Sequence, residues 1–206
     1  MDISGYSHPD ATLAHTARYL LPTVLKALDI GVSEGLARRI FELGCGSGGV
    51  ANRLTTLGYE VVGVDPSVKG VAMANQTFPR LRVERASSED DLAARYGRYP
   101  FVISLEVVEH VYAPRRFARC VYELLDESGM AIISTPYHGY LKNLTLALSG
   151  KLDAHFTALW DCGHIKFWSI STLRTLLLEA GFRSVRFERV GRVPPLAMSM
   201  IAIARR

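Results

Sequence analysis

Hydrophobic residues along the chain fall into short runs separated by longer amphipathic stretches, and this alternation repeats almost to the end. Runs of six to eight residues predict seven β-strands, at 38–44, 59–65, 81–86, 101–106, 129–136, 183–190 and 199–206. Apolar residues at helical spacing predict α-helices between them, at 47–58, 66–78, 87–97, 113–126 and 168–182. Strands that alternate with helices predict an α/β fold, in which a doubly wound sheet carries helices on both faces.

The two ends of this pattern differ from its middle. The last two predicted strands have no helix between them, so the final strand is expected to run antiparallel at or near an edge. Ahead of the first strand, residues 11–28 predict a helix that Asp10 caps and that Pro22 kinks or divides. We therefore interpret residues 1–206 as a single domain with an N-terminal helical cap at 1–35.

Composition and charge narrow the functional classes without selecting one. The 206 residues are 49% hydrophobic and 21% charged, which is usual for a globular protein and excludes a disordered or collagen-like chain. The formal net charge of +4 is spread along the sequence, so it permits an anionic partner but does not predict one. Three cysteines without CxxC spacing indicate free thiols in a reducing compartment. Because the N-terminus lacks a basic segment and no apolar run is long enough to span a membrane, we expect a cytoplasmic protein.

The strongest chemical signal follows the first predicted strand, where Glu42 precedes the glycine-rich turn Gly44-Cys45-Gly46-Ser47-Gly48-Gly49. Glycines at such a turn let a ligand approach the backbone, and the helix that follows points N–H donors at it. Asp65 ends the next strand, where a carboxylate can accept both hydroxyls of a ribose. Glu42 can face a positively charged amino group, which a dinucleotide pyrophosphate lacks. The pattern predicts a nucleotide-like cofactor that is not a dinucleotide.

A second polar group, Glu106, Glu109 and His110, comes directly after the fourth predicted strand. Its spacing of i, i+3 and i+4 places all three side chains on one face if the segment begins a helical turn. His164 lies in a later polar and aromatic segment. Two carboxylates and two imidazoles are suited to Mn²⁺, Mg²⁺, Fe²⁺ or Zn²⁺, and the ligand types do not choose among them.

At these residues the chain resembles the class I S-adenosylmethionine-dependent methyltransferases, from about Arg38 to the C-terminus. The segments FELGCGSG, VVGVD, ASSEDD and LEVVEHV are similar to segments of that family that surround the cofactor. The resemblance implies a Rossmann-like, three-layer αβα fold with a seven-stranded sheet, and an enzyme that uses S-adenosyl-L-methionine. It also implies cofactor contacts at Glu42, Gly44, Cys45, Gly46, Asp65, Ser88 and Leu105.

The ExxEH segment followed by a distant histidine resembles two metal-dependent subfamilies. These are the ubiquinone-biosynthesis O-methyltransferases, which methylate a catechol, and the small-RNA 3′-terminal 2′-O-methyltransferases, which methylate a ribose cis-diol. On this resemblance Glu106, Glu109, His110 and His164 would bind a divalent metal (Mn or Mg, alternatively Zn or Fe), and Glu109 and His110 would act in catalysis. We expect an O-methyltransferase whose substrate is a small molecule with adjacent hydroxyls.

Several alternatives stay open. A metal-free methyltransferase would use His110 as a base. His138 and His155 are alternatives to His164 as the fourth metal ligand, and His138 is the better of the two. Methylation of RNA would predict a basic stripe with aromatic stacking positions, and the chain has only short arginine patches. A protein that binds the cofactor without transferring a methyl group would predict an apolar acceptor pocket. The sequence does not predict an oligomeric state.

Residues 137–165 form a connection longer than usual for a compact α/β domain, which is typical of a lid or binding loop. Within it, Leu141, Leu144 and Leu148 share a helical face. This face either packs on the protein or makes a peripheral membrane contact through 139–149. The resemblance is consistent with the membrane contact, since the ubiquinone-type relatives carry a comparable insert and handle a lipid substrate.

Overall fold

The computed structural model of the chain describes residues 13–156, 158–161 and 163–206. Its strands are β1 Arg39–Leu43, β2 Glu60–Asp65, β3 Arg82–Arg85, β4 Tyr99–Leu105, β5 Leu125–Pro136, β6 Ser184–Val190 and β7 Ser199–Arg205. They form one sheet in the order β3-β2-β1-β4-β5-β7-β6. β1 to β5 pair in parallel, whereas β7 runs antiparallel to both β5 and β6. The predicted seven-stranded sheet with an antiparallel last strand is confirmed.

Helices cover both faces of this sheet. Those in the described residues are α1 Ala17–Ser33, α2 Gly49–Thr56, α3 Val68–Thr77, α4 Leu92–Tyr96, α5 Pro114–Glu123, α6 Tyr140–Leu148, α7 Leu152–Phe156 and α8 Ile170–Glu179. Leu20 of α1 and Leu54 of α2 share one apolar cluster with Phe101 of β4. Phe117 of α5 and Leu173 of α8 share the other with Val102, the next residue of the same strand. Successive residues of β4 thus face opposite layers, and the three-layer αβα fold is confirmed.

The centre of the sheet places the functional residues. β1 and β4 are neighbours with a parallel partner on each outer side, and their side chains are buried on both faces. That position explains their continuous apolar runs, since a strand covered by helices on both sides needs no polar face. The strand order reverses between β1 and β4, and in open α/β sheets ligands bind beyond the carboxyl ends of the strands at such a point.

Several element boundaries differ from the prediction, among them that of α4, which begins at Leu92 rather than at 87. α1 begins at Ala17, and the preceding described residues are not helical, while its predicted cap Asp10 lies outside the described residues. The helix is not divided at Pro22, because the one backbone bond that proline removes lies near the helix start. β5 begins at Leu125 rather than at 129, with an irregularity in its pairing to β4 between Tyr99 and Phe101.

The predicted insert at 137–165 contains α6 and α7. Leu141, Leu144 and Leu148 on α6 are 56%, 40% and 82% exposed, so their face does not pack on the described part of the chain. None of the described helices is both long enough and apolar enough to cross a membrane.

Candidate cofactor and metal site

The glycine-rich turn joins β1 to α2 at the carboxyl edge of the sheet. The N–H groups of Gly44 and Cys45 donate to the carbonyl of Val64 at 2.8 and 3.0 Å, which holds the turn against β2. Gly44 has a φ of +83°, and a Cβ atom there would lie 2.4 Å from Cγ2 of Val107. Only glycine fits both constraints. The Cys45 thiol is buried close to Gly63 of β2, so this residue presents its backbone rather than its sulfur to a ligand.

Two buried carboxyl groups flank this turn. Asp65 accepts the N–H of Gly46 with Oδ2 and the N–H of Ser67 with Oδ1, each at 2.8 Å. Glu42 is buried, and its Oε2 has no hydrogen-bond partner among the described residues. Burial, together with the charge of Asp65, raises the pKa of Glu42 to about 8. A buried carboxyl group in this state is stabilised by a cationic ligand.

Ser88 and Leu105 lie at the same edge of the sheet. Ser88 is half-buried in the turn after β3, where the N–H of Ser87 donates to Asp90 at 2.7 Å. Leu105 is the last residue of β4 and packs, half-buried, against the apolar cluster that contains α1. Both residues therefore lie at the carboxyl edge of the sheet, after β3 and at the end of β4, and their contact with a cofactor stays a prediction.

Three of the four predicted metal ligands come together. Glu109, His110 and His164 each offer one ligand atom, and these atoms lie within 4.8 Å of one another. Glu109 is only 1% exposed, and neither of its oxygens accepts a hydrogen bond of normal geometry from the described residues. Nε2 of His164 lies 4.0 Å from its Oε1.

The shifted pKa values of Glu109 and His164 favour the binding of a cation by this group. Burial first, and then the charge of Glu106, raise the pKa of the Glu109 carboxyl well above its ordinary value of 4.5. Burial, with a smaller effect of His110, lowers the pKa of His164 to about 4, so its imidazole is neutral at pH 7. A buried carboxyl group beside a neutral imidazole is a donor set that suits a divalent ion.

Backbone hydrogen bonds explain how a distant segment reaches the turn after β4. The N–H groups of Ile165 and Lys166 both donate to the carbonyl of Glu109, at 2.9 and 3.0 Å. The indole of Trp168 donates to the carbonyl of Val108 at 3.2 Å. These bonds fix the residues on either side of Glu109 and place His164 beside it.

His110 is oriented by the same segment. Its Nδ1 lies 3.2 Å from the carbonyl oxygen of Gly163, and its ring is 4.9 Å from that of His164, centroid to centroid. A carbonyl can only accept, so Nδ1 carries the proton and Nε2 is the basic nitrogen. Metal-binding histidines are commonly held in one tautomer by a bond of this kind.

Glu106 is not in this grouping of ligand atoms, and the helical turn that would place it on one face with Glu109 and His110 does not form. The segment makes a turn at 107–110 rather than a helix, and Glu106 precedes it with a φ of +56°, in the left-handed region. Its Oε1 accepts the hydroxyl of Ser134 at 2.8 Å, and its Oε2 accepts that of Ser199 at 3.3 Å. Each oxygen keeps a second lone pair beside its serine, so the role of Glu106 as a ligand stays a prediction.

The alternative ligands lie elsewhere. His138 follows β5 and packs against His155, Phe156 and Phe167, with ring centroids between 5.1 and 5.8 Å apart. Neither His138 nor His155 is in the grouping of ligand atoms, so the geometry favours His164 within the described residues.

A family model described as a methyltransferase domain matches residues 12–186 of the chain. The chain belongs to this methyltransferase family. Among similar proteins, the ubiquinone biosynthesis O-methyltransferase of Azorhizobium caulinodans is 33% identical over 176 residues, which cover 82% of this chain and 63% of that protein. The methyltransferase chain thus spans less than two thirds of the length of this relative.

Solved structures confirm the fold of the methyltransferase. An S-adenosylmethionine-dependent methyltransferase from Mesorhizobium loti has a TM-score of 0.62 at 20% identity, over 82% of this chain and 90% of that one. The magnesium protoporphyrin IX methyltransferase of Synechocystis PCC 6803, solved with bound SAH, has a TM-score of 0.63 at 23% identity, over 90% and 82% of the two chains. The resemblance to class I methyltransferases is therefore confirmed.

The residues of this methyltransferase fit both groups that the sequence predicts. Oε2 of Glu42, which has no hydrogen-bond partner among the described residues, suits the cationic amino group of a nucleoside such as S-adenosylmethionine. The absence of a side chain at Gly44 suits the close approach of that nucleoside to the backbone. The carboxylate of Glu109, between His110 and His164, suits a divalent metal. Sequence reasoning missed Ser134 and Ser199, although Ser134 lies near the end of β5 opposite Leu105 and could have been placed there by aligning β5 with β4.

Proposed function

We propose that this protein transfers the methyl group of S-adenosylmethionine to one hydroxyl of a small molecule with two adjacent hydroxyls, a catechol or cis-diol, with the help of a divalent metal. The observation that carries the proposal is the buried carboxylate of Glu109, which has no hydrogen-bond partner of normal geometry in the described residues and lies with His110 and His164 next to the cofactor turn. The A. caulinodans relative is an O-methyltransferase, which supports oxygen as the acceptor atom.

The cofactor would be held by the residues around the glycine-rich turn. Glu42 would face its amino group, and Asp65, which the N–H groups of Gly46 and Ser67 orient, would accept its ribose hydroxyls. When bound, S-adenosylmethionine supplies a sulfonium methyl group that is open to in-line attack. The turn then fixes the position of the donor relative to the end of β4.

On the acceptor side, Glu109, His110 and His164 would hold the metal, with Glu106 as a further candidate ligand. A bound divalent ion lowers the pKa of a coordinated hydroxyl and stabilises the oxyanion, and two adjacent hydroxyls can chelate it. With Nδ1 facing the carbonyl of Gly163, His110 would bind the metal through Nε2, and in a metal-free enzyme the same nitrogen would instead accept the hydroxyl proton. The protein aligns the acceptor, and alignment is a large part of what a displacement at carbon requires.

The proposal is tested by incubating the protein with S-adenosylmethionine and 4-methylcatechol, with and without Mn²⁺, and measuring the O-methylated product by mass spectrometry. We expect product only with the metal. Calorimetry with S-adenosylhomocysteine and the catechol present should show Mn²⁺ binding that His164→Ala loses. His15→Ala, which alters an exposed histidine, is the control and should bind Mn²⁺ like the wild type.

Different results would select the alternatives. Turnover that does not depend on Mn²⁺ but disappears in His110→Ala would establish a metal-free enzyme with His110 as base. Much faster methylation of short RNAs that end in a 2′,3′-diol would establish RNA as the substrate. No O-methylated product from any diol would contradict the proposal.

Cofactor binding should depend on pH through Glu42. Because the pKa of Glu42 is raised to about 8, the free protein holds a proton there at pH 7, and a cationic amino group would displace it. Affinity for S-adenosylhomocysteine should therefore rise between pH 6 and pH 8, by at most about tenfold per pH unit for one proton released. Calorimetry in buffers of different ionisation enthalpy measures the proton directly. Glu42→Gln should bind more weakly and show no such slope, and an unchanged slope in that variant would place the proton elsewhere.

We also propose that the exposed face of α6 makes a peripheral contact with membranes. Its support is the exposure of Leu144 and Leu148, since burying a leucine is worth about 1.5–3 kcal/mol. The double variant Leu144→Asp, Leu148→Asp should lose about tenfold or more in binding to phosphatidylglycerol vesicles, measured by co-sedimentation. Leu178→Asp, on an exposed part of α8, is the matched control. Equal binding of all three proteins would show that the face does not contact lipid.

A further inference from the structure

An indole packs against both histidines of the proposed metal group. The ring centroid of Trp160 lies 6.0 Å from that of His110, with 84° between the planes, and 5.3 Å from that of His164, with 61° between the planes. The two imidazole centroids are 4.9 Å apart, at 68°. All three pairs therefore meet edge to face, which is an arrangement that aromatic rings prefer. Each ring limits the rotation of the other two.

The backbone next to the indole also acts on His110. The carbonyl of Trp160 accepts the N–H of Gly163 at 3.0 Å, and the carbonyl oxygen of Gly163 lies 3.2 Å from Nδ1 of His110. The indole lies directly against Gly163, since a Cβ atom there would come within 3.0 Å of Cε3 of the Trp160 ring. The indole therefore packs on the residue whose carbonyl selects the tautomer of His110.

The position of Trp160 suits a residue that orders these ligands from outside. Glu109 is buried and the two histidines are half-buried, whereas Trp160 is 42% exposed, so the indole lies on the solvent side of the group. Side chains that must be ordered when a ligand binds reduce the affinity for that ligand. Imidazoles that are already held by the indole avoid much of this cost.

We propose that Trp160 is a positioning residue, which holds His110 and His164 in the orientations in which both can bind one metal ion. The inference rests on the proposed function, since it assigns the ion to these two histidines and Glu109. The indole N–H can only donate, so Trp160 offers the ion no ligand atom and acts through the imidazoles alone. Loss of a group that orients metal ligands in this way typically weakens metal binding about 10–100-fold.

The first test measures Mn²⁺ binding by calorimetry with S-adenosylhomocysteine present. Trp160→Ala should bind Mn²⁺ about 10–100-fold more weakly than the wild type, and Trp160→Phe, which keeps an aromatic ring, should recover part of this loss. The affinity for S-adenosylhomocysteine without metal should be the same in all three proteins. Leu159→Ala changes the preceding side chain, which is 99% exposed, and should bind Mn²⁺ like the wild type.

The second test uses the metal-free protein, so it does not depend on metal binding. Proton–nitrogen correlation spectra at pH 8 show which ring nitrogen of His110 carries the proton, and His110→Gln assigns the signals. The wild type should show the proton on Nδ1, where the carbonyl of Gly163 accepts it. Trp160→Ala should show both tautomers in exchange, because that carbonyl is no longer held by the indole. Leu159→Ala is again the control and should match the wild type.

The outcomes separate the role of Trp160 from the function on which it rests. Equal Mn²⁺ affinity in the wild type and Trp160→Ala, with one unchanged tautomer, would overturn the role of Trp160 and leave the proposed function standing. No Mn²⁺ binding by the wild type, together with a tautomer that Trp160→Ala releases, would keep the orienting contact and overturn the function. Equal losses of Mn²⁺ and S-adenosylhomocysteine affinity in Trp160→Ala would show a general structural effect and overturn the positioning role.

Discussion

Replacing Glu109 by Gln is expected to weaken Mn²⁺ binding at least about 100-fold, because the carboxylate is the charged member of the three-residue group. Methyl transfer to 4-methylcatechol should fall by a similar factor. Calorimetry measures the first effect and initial rates the second. Glu123→Gln, on the exposed side of α5, is the control and should leave both unchanged.

Although Glu109→Gln should weaken metal binding, it should make the metal-free protein more stable. The folded protein raises the pKa of Glu109 above its ordinary value of 4.5. Below pH 4.5 the carboxyl group is protonated in both the folded and the unfolded state and does not change the free energy of unfolding. As the pH rises above 4.5, the unfolded state loses this proton more readily than the folded state, so the folded protein becomes less stable. Glu109→Gln should therefore unfold at a higher temperature than the metal-free wild type, with a gap that widens from pH 5 to pH 8. Each kcal/mol corresponds to about 2–4 °C in a chain of this size. A metal-free wild type that is as stable as the variant at pH 8 would contradict the buried, partnerless carboxylate.

Replacing Asp65 by Ala should weaken binding of S-adenosylhomocysteine about 100-fold, or about 2.7 kcal/mol. The change removes the two acceptor oxygens that orient Gly46 and Ser67, and hydrogen bonds to a charged group contribute about 1.5–3 kcal/mol each. It also removes the proposed partner of the ribose hydroxyls. Calorimetry with S-adenosylhomocysteine measures the loss.

Two controls distinguish a local effect from unfolding. Asp29→Ala changes an exposed carboxylate on α1 and should bind S-adenosylhomocysteine normally. Asp65→Ala itself should keep its Mn²⁺ affinity, since Asp65 lies on β2 and the proposed metal ligands follow β4 and precede α8. Affinity within threefold of the wild type would show that the cofactor does not depend on Asp65.

Sequence reasoning succeeded where the pattern is local. The alternation of strands and helices and the antiparallel last strand depend on periodicity over a few neighbouring residues. It did not foresee the orientation of Glu106, because a left-handed backbone and contacts with Ser134 and Ser199, 28 and 93 residues away, set that orientation. No periodicity along the chain encodes such long-range partners.

The choice among the histidines shows the same limit. His138, His155 and His164 all occur in one polar segment, and their residue types do not distinguish them. His164 lies beside Glu109 because the backbone N–H groups of Ile165 and Lys166 donate to the carbonyl of Glu109. Backbone groups form such hydrogen bonds whatever their side chains are, so a single sequence does not reveal them.

The contact between Gly44 and Val107 sets a limit on redesign of this enzyme. A Cβ atom at 44 would come within 2.4 Å of the valine side chain, so the cofactor turn and the turn that carries Glu109 already touch. Backbone thus meets a branched side chain with no other residue between the two turns. Any larger residue at 44 would push the turns apart, so redesign of one turn requires a compensating change at Val107.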